Sequence, residues 1–349
     1  MYRKIIGFLE AWKKSEHRKP LILQGARQVG KTYSILEFGR THYENVVYFN
    51  FETNPKLNET FAENISPDYL IPILSHIAGQ TIVKEKTLVV FDEVQLCERA
   101  LTSLKYFCED APEYHIIVAG SLLGVAVNRA KFSFPVGKVD MKTMYPMDME
   151  EFMLALGAND LVEQIKKCFH TDTPLPSALH DAAMQLYRQY LVVGGMPECV
   201  LQFAETKDYI LVRHTQDTIL ASYLNDMSKY NNLNEIKKTR LAYDNITVQL
   251  SKKNTRFQYK LLKKGGRASE FENAIEWLCL SGIVSQVYKV EQIKKPLENY
   301  RDIDAFKIYV SDLGLLCAKK DLAANDILYM VEEINDFKGG MAENYVNVQ

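Results

Sequence analysis

Short apolar runs recur through the first 150 residues, each bounded by polar or glycine-bearing segments. They are Leu21-Ile22-Leu23, Val46-Val47-Tyr48-Phe49, Leu88-Val89-Val90-Phe91 and His115-Ile116-Ile117-Val118-Ala119. Runs this short and continuous predict strands buried on both faces, as in a parallel sheet. Helical spacing fills the gaps. Met1–Trp12 is amphipathic at that period, and Ile35, Leu36 and Phe38 suit one helix face. Residues 53–85 read as helix and loop, with Pro55, Pro67 and Pro72 as breaks. Residues 137–144 alternate polar and apolar, which predicts an edge strand closing the sheet, stopped by Pro146. The rhythm then changes. Residues 150–232 read as helical, broken at Thr173–Ser177, with a tight turn at Gly194-Gly195 before Pro197. From 234 onward the pattern is helix, basic stretch, helix, strands. Phe271, Ala274, Ile275, Leu278 and Cys279 fall at i, i+3, i+4, i+7 and i+8, a buried stripe. Strands follow at 283–290 and 305–310.

The chemistry concentrates after the first apolar run. Gly25-Ala26-Arg27-Gln28-Val29-Gly30-Lys31-Thr32 matches G-x-x-x-x-G-K-[ST] between a strand and a helix, the context this phosphate-binding loop requires. Its backbone N–H groups form an anion nest at a helix N-terminus. Lys31 reaches the β/γ-phosphates of ATP, and Thr32 supplies a hydroxyl ligand to Mg²⁺. The nucleotide-binding set is therefore Gly25, Ala26, Arg27, Gln28, Val29, Gly30, Lys31, Thr32 and Tyr33. The run 88–91 ends in Asp92-Glu93, at the carboxyl end of a strand, where ligands sit in open α/β sheets. Asp92 is the second Mg²⁺ ligand, and Glu93 orients and polarises water for attack on the γ-phosphate. Ser121, after the run 115–119, serves either as a γ-phosphate sensor or as the cap of the next helix. Lys31, Glu93 and Ser121 are the candidate catalytic residues. Arg99 and Arg129 are candidates for an arginine finger, which a neighbouring subunit can equally supply.

Composition narrows the class. The chain has 349 residues, 47% hydrophobic and 25% charged, with a formal charge of −2, so any nucleic-acid signal must be local. No apolar run approaches the ~18 residues of a membrane span. Six cysteines lie far apart without metal-ligand spacing, which reads as reduced thiols of a cytoplasmic protein. One local signal exists. Lys252, Lys253, Arg256, Lys260, Lys263, Lys264 and Arg267 occupy a stretch without acids, interleaved with Phe257 and Tyr259. It suits weak, sequence-independent DNA contact through 252–267, or else a solvated or ATPase-facing surface. Glu270, Glu272 and Glu276 on the following helix argue against base reading, because carboxylates are repelled by phosphates.

Val-Phe-Asp-Glu-Val-Gln (90–95), Ala-Gly-Ser (119–121), Phe134-Pro135-Val136-Gly137, the segment 145–152 and the segment 190–198 together resemble one family. It is a large prokaryotic family of AAA-type ATPases, in the P-loop class with an additional strand and a catalytic glutamate. The resemblance spans about residues 2–345. It implies an α/β P-loop NTPase sheet of order 5-1-4-3-2, then helical and winged-helix domains in a C-terminal region of unknown function. The domains expected are 1–150 (ATPase), 151–232 (helical), 233–312 (winged helix) and 313–349, the start of a truncated restriction-endonuclease-like domain. In the family the Gly194-Gly195 region marks a hinge; a nucleotide-sensing element is the other reading. Asp336-Phe337-Lys338 has D-x-K spacing, but the sequence around it reads as a polar helix end and a Gly339-Gly340 turn. No Mg²⁺-dependent nuclease activity is expected, and residues beyond about 320 are expected to be partly loose.

The sequence thus points to a Mg²⁺-dependent ATPase coupling its nucleotide state to movement of a helical and winged-helix module. A nucleotide-gated DNA-binding regulator with slow or no hydrolysis is the alternative, and a small-molecule kinase a weaker one. A homo-oligomer and a protein partner are left open; a membrane partner is not expected.

Overall fold

The apolar runs become the centre of a parallel sheet. The computed structural model describes residues 1–121, 134–229, 233–252 and 256–349. The chain divides into one unit spanning Arg3–Tyr145 and another comprising Pro146–Gln349 with Met1–Tyr2.

In the first unit the order of elements is α1 (Ile5–Lys14), β1 (Leu21–Gln24), α2 (Lys31–His42), β2 (Asn45–Asn50), α3 (Leu57–Glu63), α4 (Pro67–Ala78), β3 (Thr87–Asp92), α5 (Glu98–Asp110), β4 (His115–Gly120) and β5 (Asp140–Thr143). The sheet order is β2-β3-β4-β1-β5, all parallel, which is the 5-1-4-3-2 order the family resemblance implied. Every residue of β3 and β4 is buried, because these strands lie inside the sheet with helices on their faces. The edge strand β5 has no buried residue and is shorter than the alternating run 137–144 suggested. Phe51 leaves the sheet after β2, and its ring packs 5.6 Å from Phe61 and 5.9 Å from Phe91. This cluster anchors the carboxyl ends of β2 and β3, the edge of the sheet where Asp92 emerges.

The second unit begins with helices α6 (Met149–Ala155), α7 (Asn159–His170), α8 (Ser177–Val193), α9 (Pro197–Thr206), α10 (Tyr209–Lys229) and α11 (Leu233–Ser251). Asp148 caps α6 with a full capping box to Glu151. Next come α12 (Ala268–Leu280) and the antiparallel hairpin of β6 (Val284–Val290) and β7 (Arg301–Val310). Phe271, Ala274, Ile275 and Leu278 are buried on α12 as their spacing predicted; Cys279 sits at the margin, and Trp277 is buried instead. The Gly194-Gly195 segment is held rather than loose. Gly195 N–H donates to the buried Asp312 carboxylate at 2.6 Å, and its carbonyl accepts from Met147 N–H at 2.7 Å. Asp312 also caps α13 (Leu313–Lys319) through Leu315 N–H at 2.8 Å, and its complete burial pushes its pKa up to about 6.

The end of the chain corrects an expectation. Residues beyond 320 are not loose: after α14 (Ala324–Leu328), α15 (Asn335–Val348) buries Phe337, Met341 and Asn344. The Asn344 amide accepts from Val310 N–H and donates to the Val310 carbonyl, both at 2.9 Å, pairing the backbone of the last residue of β7 as a neighbouring strand would. Gly339-Gly340 lies inside this helix, not in a turn. A Cβ on Gly340 would stand 2.5 Å from the Leu250 carbonyl, so its glycine permits close helix packing. Asp336-Phe337-Lys338 accordingly occupies the first turn of a helix.

Candidate nucleotide site

The loop between β1 and α2 has the backbone that phosphate cradling needs. Gly25 has φ 145°, Gln28 φ 66° and Gly30 φ 89°. A Cβ on Gly25 would stand 2.1 Å from the Met144 carbonyl, so no other residue fits where the loop leaves β1. Gly30 is the N-cap of α2, which aims its first N–H groups into the loop. Ala26 and Val29 are buried beneath it, so they contribute backbone rather than side chains. Tyr33 is 59% exposed in the first turn of α2.

Lys31 is buried, and its Nζ donates to the carbonyls of Gly25 at 2.8 Å and Ala26 at 2.7 Å. Loss of hydration lowers its pKa to about 8, against the opposing pull of Glu93 and Asp92. Thr32 Oγ1 donates to Asp92 Oδ2 at 2.8 Å, joining the start of α2 to the end of β3. A single carboxylate beside a hydroxyl is a hard-oxygen donor pair of the kind Mg²⁺ takes when phosphates and water complete its octahedron. Among the described residues no cluster of three or more His, Cys, Asp or Glu side chains forms a self-sufficient metal site.

Glu93 follows Asp92 in the left-handed region, φ 52°, which turns its half-buried side chain off the strand line. Burial raises its pKa, with the neighbouring Asp92 charge adding to the effect, while Gln95, Arg27 and Lys31 oppose. The Gln95 amide donates to Glu93 Oε2, and its own Oε1 is buried without a partner among the described residues. Ser121 stands just beyond β4 with Oγ buried and likewise unpartnered. The helix that it was suggested to cap lies outside the described residues, as does Arg129. Arg99 is committed elsewhere: its Nε donates to the Phe61 carbonyl at 2.6 Å.

Sequence reasoning missed three side chains. Arg3 is buried and donates to the Val29 carbonyl of the loop at 2.8 Å and to the Tyr145 carbonyl at 2.7 Å. Gln95 closes the motif Val-Phe-Asp-Glu-Val-Gln in the sequence, but nothing in that pattern assigns its side chain a role. Tyr48 donates to Asp92 from the adjacent strand. None belongs to the loop motif, and Tyr48 reads in sequence as one more strand residue.

The basic stretch loses its aromatic component. Phe257 is buried, stacked 5.6 Å from Phe306, and the half-buried Tyr259 packs at a steep angle against both rings. Lys263 pairs with Glu270 at 2.7 Å. Lys252, Arg256, Lys260, Lys264 and Arg267 are exposed, and Lys253 lies outside the described residues.

Residues 17–153 match the family described as AAA domain, and residues 184–326 match a domain of unknown function, DUF8612. No curated protein matches the chain. Among solved structures, the Walker-type ATPase PABY2304 of Pyrococcus abyssi is similar at 13% identity, covering 91% of this chain and 95% of that one, with a TM-score of 0.55. The ORC2 protein of Aeropyrum pernix has 13% identity over 98% and 95% of the two chains, with a TM-score of 0.44. At 13% identity the likeness to the Pyrococcus abyssi protein concerns fold alone.

Proposed function

We propose that this protein, whose residues 17–153 match the family described as AAA domain, hydrolyses ATP to ADP and phosphate with Mg²⁺. One observation carries the reading. A phosphate loop and the strand-end pair Asp92-Glu93 meet through the Thr32–Asp92 hydrogen bond, and the charges of Glu93 and Lys31 act on each other beside it. Loop N–H groups and Lys31 hold the β- and γ-phosphates. Thr32 and Asp92 hold Mg²⁺, which when bound neutralises charge on the phosphate oxygens. Glu93 accepts a proton from the water that it orients. Ser121 senses the γ-phosphate, and Arg27 contacts phosphate or nucleotide.

Coupling to the rest of the chain is part of the proposal. The segment leaving β5 runs against the loop: Met144 N–H donates to the Gln24 carbonyl at 2.8 Å, and Arg3 ties Val29 to Tyr145. A loop that tightens on phosphate therefore pulls on the residues that lead into the helical (151–232) and winged-helix (233–312) segments, with 313–349 following. No described helix is long and apolar enough to cross a membrane, and the six cysteines are unpaired, which supports a cytoplasmic setting.

The test is phosphate release from ATP by the purified chain, with Mg²⁺ and no added acceptor. Turnover is expected; its absence alongside transfer to an added small molecule would favour a kinase.

A second reading, nucleotide-gated DNA binding, rests on the exposed cations of 252–267. In that case affinity for DNA falls steeply with salt, because each neutralised phosphate releases counterions. Replacing Lys260 and Lys264 by Glu then weakens all sequences alike. Absence of binding by the unaltered chain at low salt removes this reading.

A further inference from the structure

Tyr48 lies in β2 opposite Val90 of β3, and Asn50 lies opposite Asp92. Side chains alternate along a strand, so Tyr48 and Asn50 share the sheet face from which Asp92 projects. The Tyr48 hydroxyl donates to Asp92 Oδ2 at 2.7 Å, and Thr32 Oγ1 donates to the same oxygen at 2.8 Å. Asn50 Nδ2 donates to the Tyr48 phenol oxygen at 3.1 Å, which orients the phenol proton toward Asp92. The other carboxylate oxygen, Oδ1, accepts from Glu93 N–H at 2.9 Å. Both oxygens of the carboxylate are thus held, one by backbone and one by two hydroxyls from different elements.

We propose that Tyr48 is a positioning residue for the divalent cation of the nucleotide site, fixing the Asp92 carboxylate in the orientation that faces Thr32. This rests on the ATPase reading. Without the phenol, Asp92 at a strand end keeps its backbone contact but rotates more freely about its carboxylate. The preorganised pairing with Thr32 is then lost part of the time. Groups that orient a metal ligand typically govern 10–100-fold in metal affinity. Tyr48 is 40% exposed, so water replaces part of its hydrogen bond and the lower end, about tenfold, is expected.

Tyr48→Phe keeps the ring and removes only the hydroxyl. The measurements are Mn²⁺ binding by electron paramagnetic resonance with a non-hydrolysable ATP analogue, and affinity for a fluorescent analogue in EDTA. Thr32→Ala serves as the ligand-loss control. The expected result is a Mn²⁺ dissociation constant raised about tenfold in Tyr48→Phe, with nucleotide affinity in EDTA unchanged. Mn²⁺ affinity within twofold of the unaltered chain overturns the proposal while leaving the ATPase reading intact. A matching fall of affinity in EDTA also overturns it, because the hydroxyl then serves the nucleotide or the fold. If the unaltered chain binds neither Mn²⁺ nor nucleotide, the ATPase reading fails and the proposal falls with it.

Discussion

A Glu93→Gln variant binds ATP near-normally and hydrolyses it at least ~100-fold more slowly, the usual scale for losing a general base. The substitution preserves shape and leaves Thr32 and Asp92 untouched, so binding has no reason to change. What disappears is the charge that polarises water. The environment of Glu93 adds a second signature. Burial holds its carboxyl above the ordinary glutamate range. Because the base must be deprotonated, the wild-type rate falls as pH drops through that raised value, at a higher pH than an ordinary glutamate would give. The variant lacks this acidic limb. Single-turnover hydrolysis across pH, beside equilibrium ATP binding, checks both parts; wild-type turnover in Glu93→Gln would sink the assignment.

Lys31→Ala is expected to abolish both tight ATP binding and hydrolysis. Its ammonium is buried at the head of α2, where little water remains to screen the attraction to phosphate. Loss of even one charge-assisted hydrogen bond costs about 1.5–3 kcal/mol, roughly 10–150-fold in affinity. The lowered pKa predicts a pH effect of definite sign. With an ammonium that titrates near 8 before phosphate arrives, affinity for ATP weakens as pH rises through that value, since the neutral amine must first take up a proton. Lys31→Ala removes this alkaline limb along with most of the binding. Calorimetric titration of ATP between neutral and alkaline pH measures it. Undiminished affinity in Lys31→Ala would mean that phosphate is held elsewhere.

Much of the first unit is legible in sequence. The runs at 21–23, 88–91 and 115–119 are short, continuous and apolar, and each became a buried strand of the sheet. The strand order was not in the periodicity; it came with the family resemblance carried by motifs such as Val-Phe-Asp-Glu-Val-Gln. The second unit is less legible. Phe257 and Tyr259 read in sequence as part of a basic stretch because they interleave with lysines, yet both rings pack against Phe306, some fifty residues on. Gly339-Gly340 suggested a turn because glycine pairs usually do, yet α15 runs through both to pass close to Leu250.

The sequence alone determined the phosphate loop, the carboxylates at the end of β3 and the parallel-strand character of the first unit. These depend on residues adjacent in the chain, where spacing encodes backbone shape and fixed motifs encode chemistry. Only the tertiary structure decided that Tyr48 reaches Asp92, that Arg3 clamps Val29 to Tyr145, and that Asn344 pairs the backbone of the last residue of β7. Each of these pairs residues separated by 26 to 142 positions. Such contacts depend on which strands are neighbours and in what register, and a one-residue slip would turn Tyr48 to the opposite face. No pattern within a single element carries that information.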